Sequence, residues 1–235
     1  FDVGQMKVGR RLAIKVLNAA KFVLSFETSS DAAEISEPID RAMLSALSEV
    51  VEQAGKAFKS YDHTKALEVT ESFFWNFTDD YLELVKERAY GQETNPQAQA
   101  SAVLALRIAL HTQLRLLAPF IPFATEEAWS WWQDGSIHLS AWPEASELEG
   151  FTNGQASSML QSASDALMGI RKAKSDQQLS MKAEITSLVI KAPAGKLEEL
   201  KAIDADLRAV GKIDSIAYEI GEEISIANVS FKPTK

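Results

Sequence analysis

"NPQAQASAVLALRIALHTQLRLLAP", residues 95–119, decides the fold. Asn95 followed by Pro96 is a helix start: a side chain that caps free amides, then a proline whose missing amide costs nothing at the first helical position. Val103, Leu106, Leu110, Leu114 and Leu117 then recur every three or four residues and share one helix face, which Pro119 brings to an end. Working outward, the signature repeats. In "KVGRRLAIKVLNAAKFVLSF" (7–26), Leu12, Ala13, Val16, Leu17, Ala19, Ala20, Val23 and Leu24 fill one broad arc. Ser36 and Pro38 mark a start that Leu44, Leu47, Val51, Ala54 and Phe58 follow, and Asp62 can cap a helix striped by Ala66, Val69, Phe73, Phe77 and Leu84. After Pro122 a short helix resumes, and "GSIHLSAWP" (135–143) is expected to be extended. Four long amphipathic helices with short connections predict an antiparallel bundle over residues 1–143.

Beyond residue 143 the pattern changes. "PEASELEG" (143–150) reads as a linker, and "GQASSMLQSASDALMGIRKAKSD" (154–176) as a connecting helix ending in a basic cluster, so 144–182 joins the bundle to the C-terminal unit. From 183 to 235, "ITSLVIKA", one helix over Gly195–Ala209, "IDSIAYEI" and "ISIANVSF" predict a small β-α-β-β unit, with Gly211 ending the helix. The fold class is therefore mainly α, a helical bundle followed by a small α+β unit.

Composition limits the function. The 235 residues are 46% hydrophobic, enough for a sizeable core, and no apolar run approaches the length a bilayer span requires. No signal peptide is visible, and a chain without cysteine has neither disulfides nor thiolate metal sites, which suits a reducing compartment. The first residue is Phe1, so a longer parent chain is expected. Net charge is −9, yet the first 24 residues hold five cations, Lys7, Arg10, Arg11, Lys15 and Lys21, against Asp2 alone.

That opening helix carries the sharpest candidate. Lys7, Lys15, Asn18 and Phe22 fall within about 40° of Arg11 around the axis, at spacings of three and four. Cations attract phosphates, an amide can bond a base edge, and a ring can stack on an unpaired base. Residue types alone favour a plainer reading, a solvated basic face with Phe22 tucked beneath a neighbour. Arg171, Lys172 and Lys174 form a second cationic cluster, read as exposed at a helix end. Asp79, Asp80 and Glu83 read as a helix's outer charges rather than a metal site, and His63, His111 and His138 are scattered. Trp129, Trp131, Trp132 and Trp142 read as core. No glycine loop of the phosphate-cradling kind and no catalytic constellation appears.

"GQMKVGRRLAIKVLNAAKFVL" (4–24), "ALEVTESFFWNFTDDYLELVKERAYG" (66–91) and "LRLLAPFIPFATEEAWSWW" followed by "GSIHLSAWP" resemble the anticodon-binding region of class I aminoacyl-tRNA synthetases. The last two, in this order and spacing, are most similar to the valyl branch, and "IRKAKSD" with its β-α-β unit is similar to the next segment of bacterial members. The resemblance implies that the opening helix lies beside the anticodon stem. Lys7, Arg11 and Lys15 then become phosphate contacts within a basic helix that includes Arg10 and Lys21, and Asn18 and Phe22 become candidates for base contact. Arg171, Lys172 and Lys174 could hold backbone. The implied partner is valine tRNA, with catalytic and editing domains upstream in the same chain, in a cytoplasmic, monomeric enzyme that uses ATP and Mg2+. The family's "HIGH" and "KMSKS" words are absent, so this chain alone is expected to be inactive and to need no cofactor. Many bacterial members continue into a coiled-coil arm; after "ISIANVSFKPTK" no heptads follow, and a short C-terminus is expected. Two other readings stand beside this one. An isoleucyl- or leucyl-type domain would prefer another anticodon, and a helical protein-interaction module would cover the Lys7–Phe22 stripe with a partner element.

Overall fold

A computed structural model describes residues 3–27, 34–91 and 95–233; Asp2 lies outside them. The helices are α1 (Val3–Leu24), α2 (Pro38–Lys59), α3 (His63–Asn76), α4 (Leu82–Ala89), α5 (Pro96–Leu117), α6 (Pro122–Ser130), α7 (Ser146–Thr152), α8 (Ser158–Asp176), α9 (Ala194–Lys201) and α10 (Asp204–Gly211). The strands are β1 (Ile185–Ala192), β2 (Ile213–Ile220) and β3 (Ser225–Phe231). No described helix is long and apolar enough to cross a membrane.

The expected caps form. Asn95 accepts from the Gln97 and Ala98 amides at 3.1 and 3.3 Å, and Asp62 from Lys65 at 2.9 Å. The whole α5 stripe, Val103, Leu106, Leu110, Leu114 and Leu117, is buried. It meets Leu44, Leu47 and Val51 of α2, Phe73 and Phe74 of α3, and Val16, Ala20 and Val23 of α1 in one continuous core. Between α3 and α4 the helix does not break; it widens into a π turn over Phe77–Tyr81. Such a turn accommodates one residue more than a regular α turn. Phe77, Thr78 and Tyr81 stay buried while Asp79 is exposed and Asp80 half-buried.

Three expectations change. The "GSIHLSAWP" stretch is not uniformly extended: Ser136 accepts from the His138 amide and opens a short 3-10 turn at Ile137–Leu139, whose Ile137 is buried. The acidic stretch 143–150 is no open tether, because it enters α7, which buries Leu148 and anchors Glu147 on Arg115 at 2.6 Å. The helix expected over Gly195–Ala209 is two, parted at Ala202 and Ile203. The Leu200 carbonyl, at that break, accepts from the Tyr218 hydroxyl, which also donates to Asp204 at 2.8 Å. The buried face still runs Leu197, Leu200, Ile203, Leu207 across the break.

The sheet order is β2-β1-β3, with β1 central, parallel to β2 and antiparallel to β3. The α9–α10 pair supplies the crossover a parallel β1–β2 pairing needs. α8 packs on this unit so closely that a Cβ at Gly169 would come within 2.6 Å of the Ile226 side chain. Between α10 and the bundle runs a buried ionic bond: Arg88 of α4 grips Asp40 of α2 and Asp206 of α10.

Candidate nucleic-acid interface

α1 is held by Leu12, Val16, Ala19, Ala20 and Val23, all buried. Everything off that arc is set by what flanks the helix. On one side lie α3 and α4: Arg11 and Lys15 stand over the Trp75 ring, 5.5 and 5.8 Å from its centroid, and Lys15 bonds Asp79 at 2.6 Å. On the other side lies α6, where Lys21 stands 5.6 Å above the ring of nearby Trp131. The face presented to solvent is therefore turned from the stripe centred on Arg11. Lys7, Arg10, Arg11, Ile14, Asn18 and Lys21 are exposed or partly so, while Lys15 and Phe22 are drawn against neighbours. Helical periodicity identifies the polar sector of the basic helix, but that sector is wide, and neighbours on both flanks choose which part of it reaches solvent.

Phe22 ends the ridge inside a cluster of rings. Its centroid is 5.0 Å from Phe26 and 5.9 Å from Tyr90, both edge-to-face, with the Lys86 ammonium 5.5 Å over it. Close by, Arg107 of α5 donates to the Phe26 carbonyl at 2.9 Å, fixing the end of α1 to the bundle.

The second cluster behaves unevenly. Lys172 is exposed. Arg171 donates to Asp80 at 2.6 Å and to the Asp79 carbonyl at 2.5 Å. The π turn thus brings two distant cations to one corner: Lys15 of α1 and Arg171 of α8 both close on Asp79–Asp80, and their charge is largely spent there. Glu83 similarly faces Lys86 at 3.5 Å. Lys174 corrects the expectation of an exposed cluster: it is 2% exposed, and its ammonium donates to the Met181 and Gly211 carbonyls at 2.9 and 2.8 Å. Three residues beyond Arg171 on a helix turn the side chain by about 300°, and here that direction is the interior.

Burial, together with nearby Lys212, holds the Lys174 pKa below its ordinary value. The unfolded chain therefore binds more protons between the depressed folded pKa and the ordinary value, and stability rises with pH across that window. Lys174→Met is expected to cost about 1–3 kcal/mol near neutrality, because the buried Gly211 carbonyl and the partly buried Met181 carbonyl lose their donor, and to abolish that rise. Urea unfolding across the neutral-to-alkaline range checks it; a variant that keeps the wild-type pH profile contradicts it.

The tryptophans read as core divide. Trp129 is buried, and Trp132 and Trp142 pack against the core. Trp131 instead lies at the surface under Lys21, its indole N–H donating to Glu127 at 3.0 Å. Trp75, Lys86 and Tyr90, which sequence reasoning did not single out, stand against side chains of α1, as does Trp131. "FFW" and "WSWW" announce aromatic rings, but no spacing rule says which of them reach α1.

Residues 40–190 match the family described as the anticodon-binding domain of tRNA ligase. The chain is 49% identical over 227 residues to a valine–tRNA ligase of Leifsonia xyli subsp. xyli, covering 96% of this chain and 26% of that protein. It is 47% identical to one of Thermobifida fusca, with 96% and 26% covered, and 49% identical to one of Cutibacterium acnes, with 94% and 25% covered. The chain thus spans about a quarter of the length of these curated relatives. With a helical bundle, a basic first helix and a family match across the greater part of its length, the chain belongs to the anticodon-binding domains of tRNA ligases.

Proposed function

We propose that this chain grips tRNA and reads its anticodon as the non-catalytic quarter of a valine–tRNA ligase. The observation that carries the reading is the solvent-facing ridge of Lys7, Arg10, Arg11, Asn18 and Lys21 on a chain whose net charge is −9. At a screening length of about 10 Å, RNA responds to the local charge of such a ridge, not to the distant acidic surface. Similarity to valine–tRNA ligases supports valine tRNA as the partner. The attachment of valine, and the ATP and Mg2+ it uses, we assign to the rest of the parent enzyme, a cytoplasmic monomer whose catalytic and editing domains precede this part. Lys172 and, in part, Arg171 remain available to RNA backbone; Lys174 does not.

The test is a binding titration of the purified chain against valine tRNA and against the same tRNA with its anticodon replaced. Phosphate contacts are common to both and base contacts are not, so both should bind at low salt and the native anticodon should bind more tightly. Equal affinity for the two would overturn anticodon reading, and absence of binding to either would overturn the RNA-gripping role.

A further inference from the structure

Away from the ridge on α1, α5 carries a polar row of its own. Arg107, His111 and Arg115 recur every four residues and share one face of that helix. With Trp132, just past α6, and Phe151 of α7 they line a pocket of about 280 Å³, close to the lower end of ligand sites at roughly 300 Å³. Ile108 of α5 and Leu148 of α7 add apolar wall.

The polar atoms of this pocket are unevenly matched. Arg115 spends both terminal nitrogens on Glu147, at 3.2 and 2.6 Å, and the two charges cancel. Its Nε is buried and meets no acceptor among the described residues. Arg107 donates through one terminal nitrogen to the Phe26 carbonyl at 2.9 Å, and its Nε too is buried without an acceptor there. Burial lowers the Arg107 pKa, and no acidic neighbour raises it. The Trp132 indole N–H is likewise buried and unpaired among the described residues. Three lining residues thus hold buried N–H donors in need of an acceptor, which native proteins rarely leave so, and the positive charge of Arg107 is unopposed. Between them the His111 ring stands 5.0 Å from Trp129 and 6.0 Å from Trp132. Burial, and after it Arg115, hold the His111 pKa below its ordinary value, with Glu147 opposing.

We propose that this pocket binds a small organic anion, a planar apolar body carrying one carboxylate, with the carboxylate on the Arg107 guanidinium and the body against Trp132 and Phe151. A carboxylate supplies acceptors where the lining supplies donors, and its two coplanar oxygens suit a guanidinium edge. Glu147 does not repel it, because Arg115 already neutralises that side chain. A bare inorganic anion would gain nothing from the apolar wall. The site is separate from the tRNA-binding role, since none of these residues lies on the α1 ridge.

The test titrates the purified chain with benzoate and with benzamide, its uncharged counterpart of the same shape. Benzoate should bind more tightly and raise the His111 pKa, followed by NMR, because a nearby anion favours the charged imidazole; benzamide should leave that pKa unchanged. Arg107→Gln should weaken benzoate by about 10- to 150-fold, the range for losing a hydrogen bond to a charged group, and leave benzamide unaffected. Ile108→Trp, which fills the pocket and keeps every charge in place, should exclude both. Equal affinity for benzoate and benzamide, or a His111 pKa that benzoate does not move, overturns the proposal. Both are measured on the wild-type chain, so neither depends on how a variant folds. Displacement of benzoate by valine tRNA would assign the pocket to an RNA phosphate and overturn the proposal as well.

Discussion

Replacing Arg88 with methionine is expected to lower the free energy of unfolding by about 3–5 kcal/mol, the range for breaking a buried ion pair by removing one partner. The geometry explains the size. All five guanidinium N–H groups are used: Nη1 and Nη2 donate to the two Asp40 oxygens at 2.9 Å each, Nε and Nη2 to Asp206 at 3.0 and 3.1 Å, and Nη1 also to the Ala98 carbonyl at 3.0 Å. Asp40 further accepts from Tyr81 at 2.8 Å and Ser101 at 2.6 Å, all out of contact with water. Burial by itself would lower the Arg88 pKa, but the two carboxylates outweigh it and hold the group charged. Burial, and after it Asp40, push the Tyr81 hydroxyl pKa up, so it stays protonated and keeps donating. Without Arg88, the buried Asp40 and Asp206 carboxylates lose the cation they share. Urea unfolding of Arg88→Met measures the loss, and a change below about 1 kcal/mol, the size of an ordinary hydrogen bond, would show that the network is not what holds α10 to the bundle. A triple variant, Asp40→Leu, Arg88→Met and Asp206→Leu, should be less destabilised than Arg88→Met alone, because no buried charge is left over.

The second large effect concerns RNA. Changing Lys7, Arg10, Arg11 and Lys21 together to alanine is expected to weaken tRNA binding about a thousandfold at roughly 0.1 M salt. Each phosphate contact contributes roughly 0.7–0.9 to the slope of log affinity against log salt. Between about 1 M and 0.1 M, one decade, four contacts therefore contribute on the order of 10^3 in affinity. The slope itself should fall by about three. Lys15→Ala provides an internal contrast. Its ammonium already bonds Asp79 at 2.6 Å, so its removal should flatten the slope less than Arg10→Ala does. Titrations at several salt concentrations decide the matter: an unchanged slope in the quadruple variant would remove the ridge from the interface, and equal effects of Lys15→Ala and Arg10→Ala would mean that RNA displaces Asp79.

Much of this was legible in the residues. Asn95, Pro96 and Asp62 fix helix starts through bonds that span three residues or fewer, and such bonds follow from local sequence. The α5 stripe had to be buried because five apolar side chains at helical spacing have nowhere else to go. The basic opening helix, the β-α-β-β order and the family resemblance were likewise carried by the chain alone.

Other features depended on partners far away in sequence. Tyr218 bonds at the break between α9 and α10 across 18 and 14 residues, and Arg88 meets Asp206 across 118. Lys174 looks like one more surface cation until Met181 and Gly211 surround its ammonium with carbonyls. Periodicity supplies a direction around a helix axis, good to one residue's turn of about 100°, and an exposed face narrower than that cannot be chosen from it. The sequence by itself determined the long helices of the bundle and that the first is basic. Only tertiary packing, with α3 and α4 on one flank of α1 and α6 on the other, decided that Lys15 and Phe22 turn toward neighbours while Arg10, Asn18 and Lys21 reach the solvent, because a side chain's exposure is a property of its neighbours, not of its own spacing.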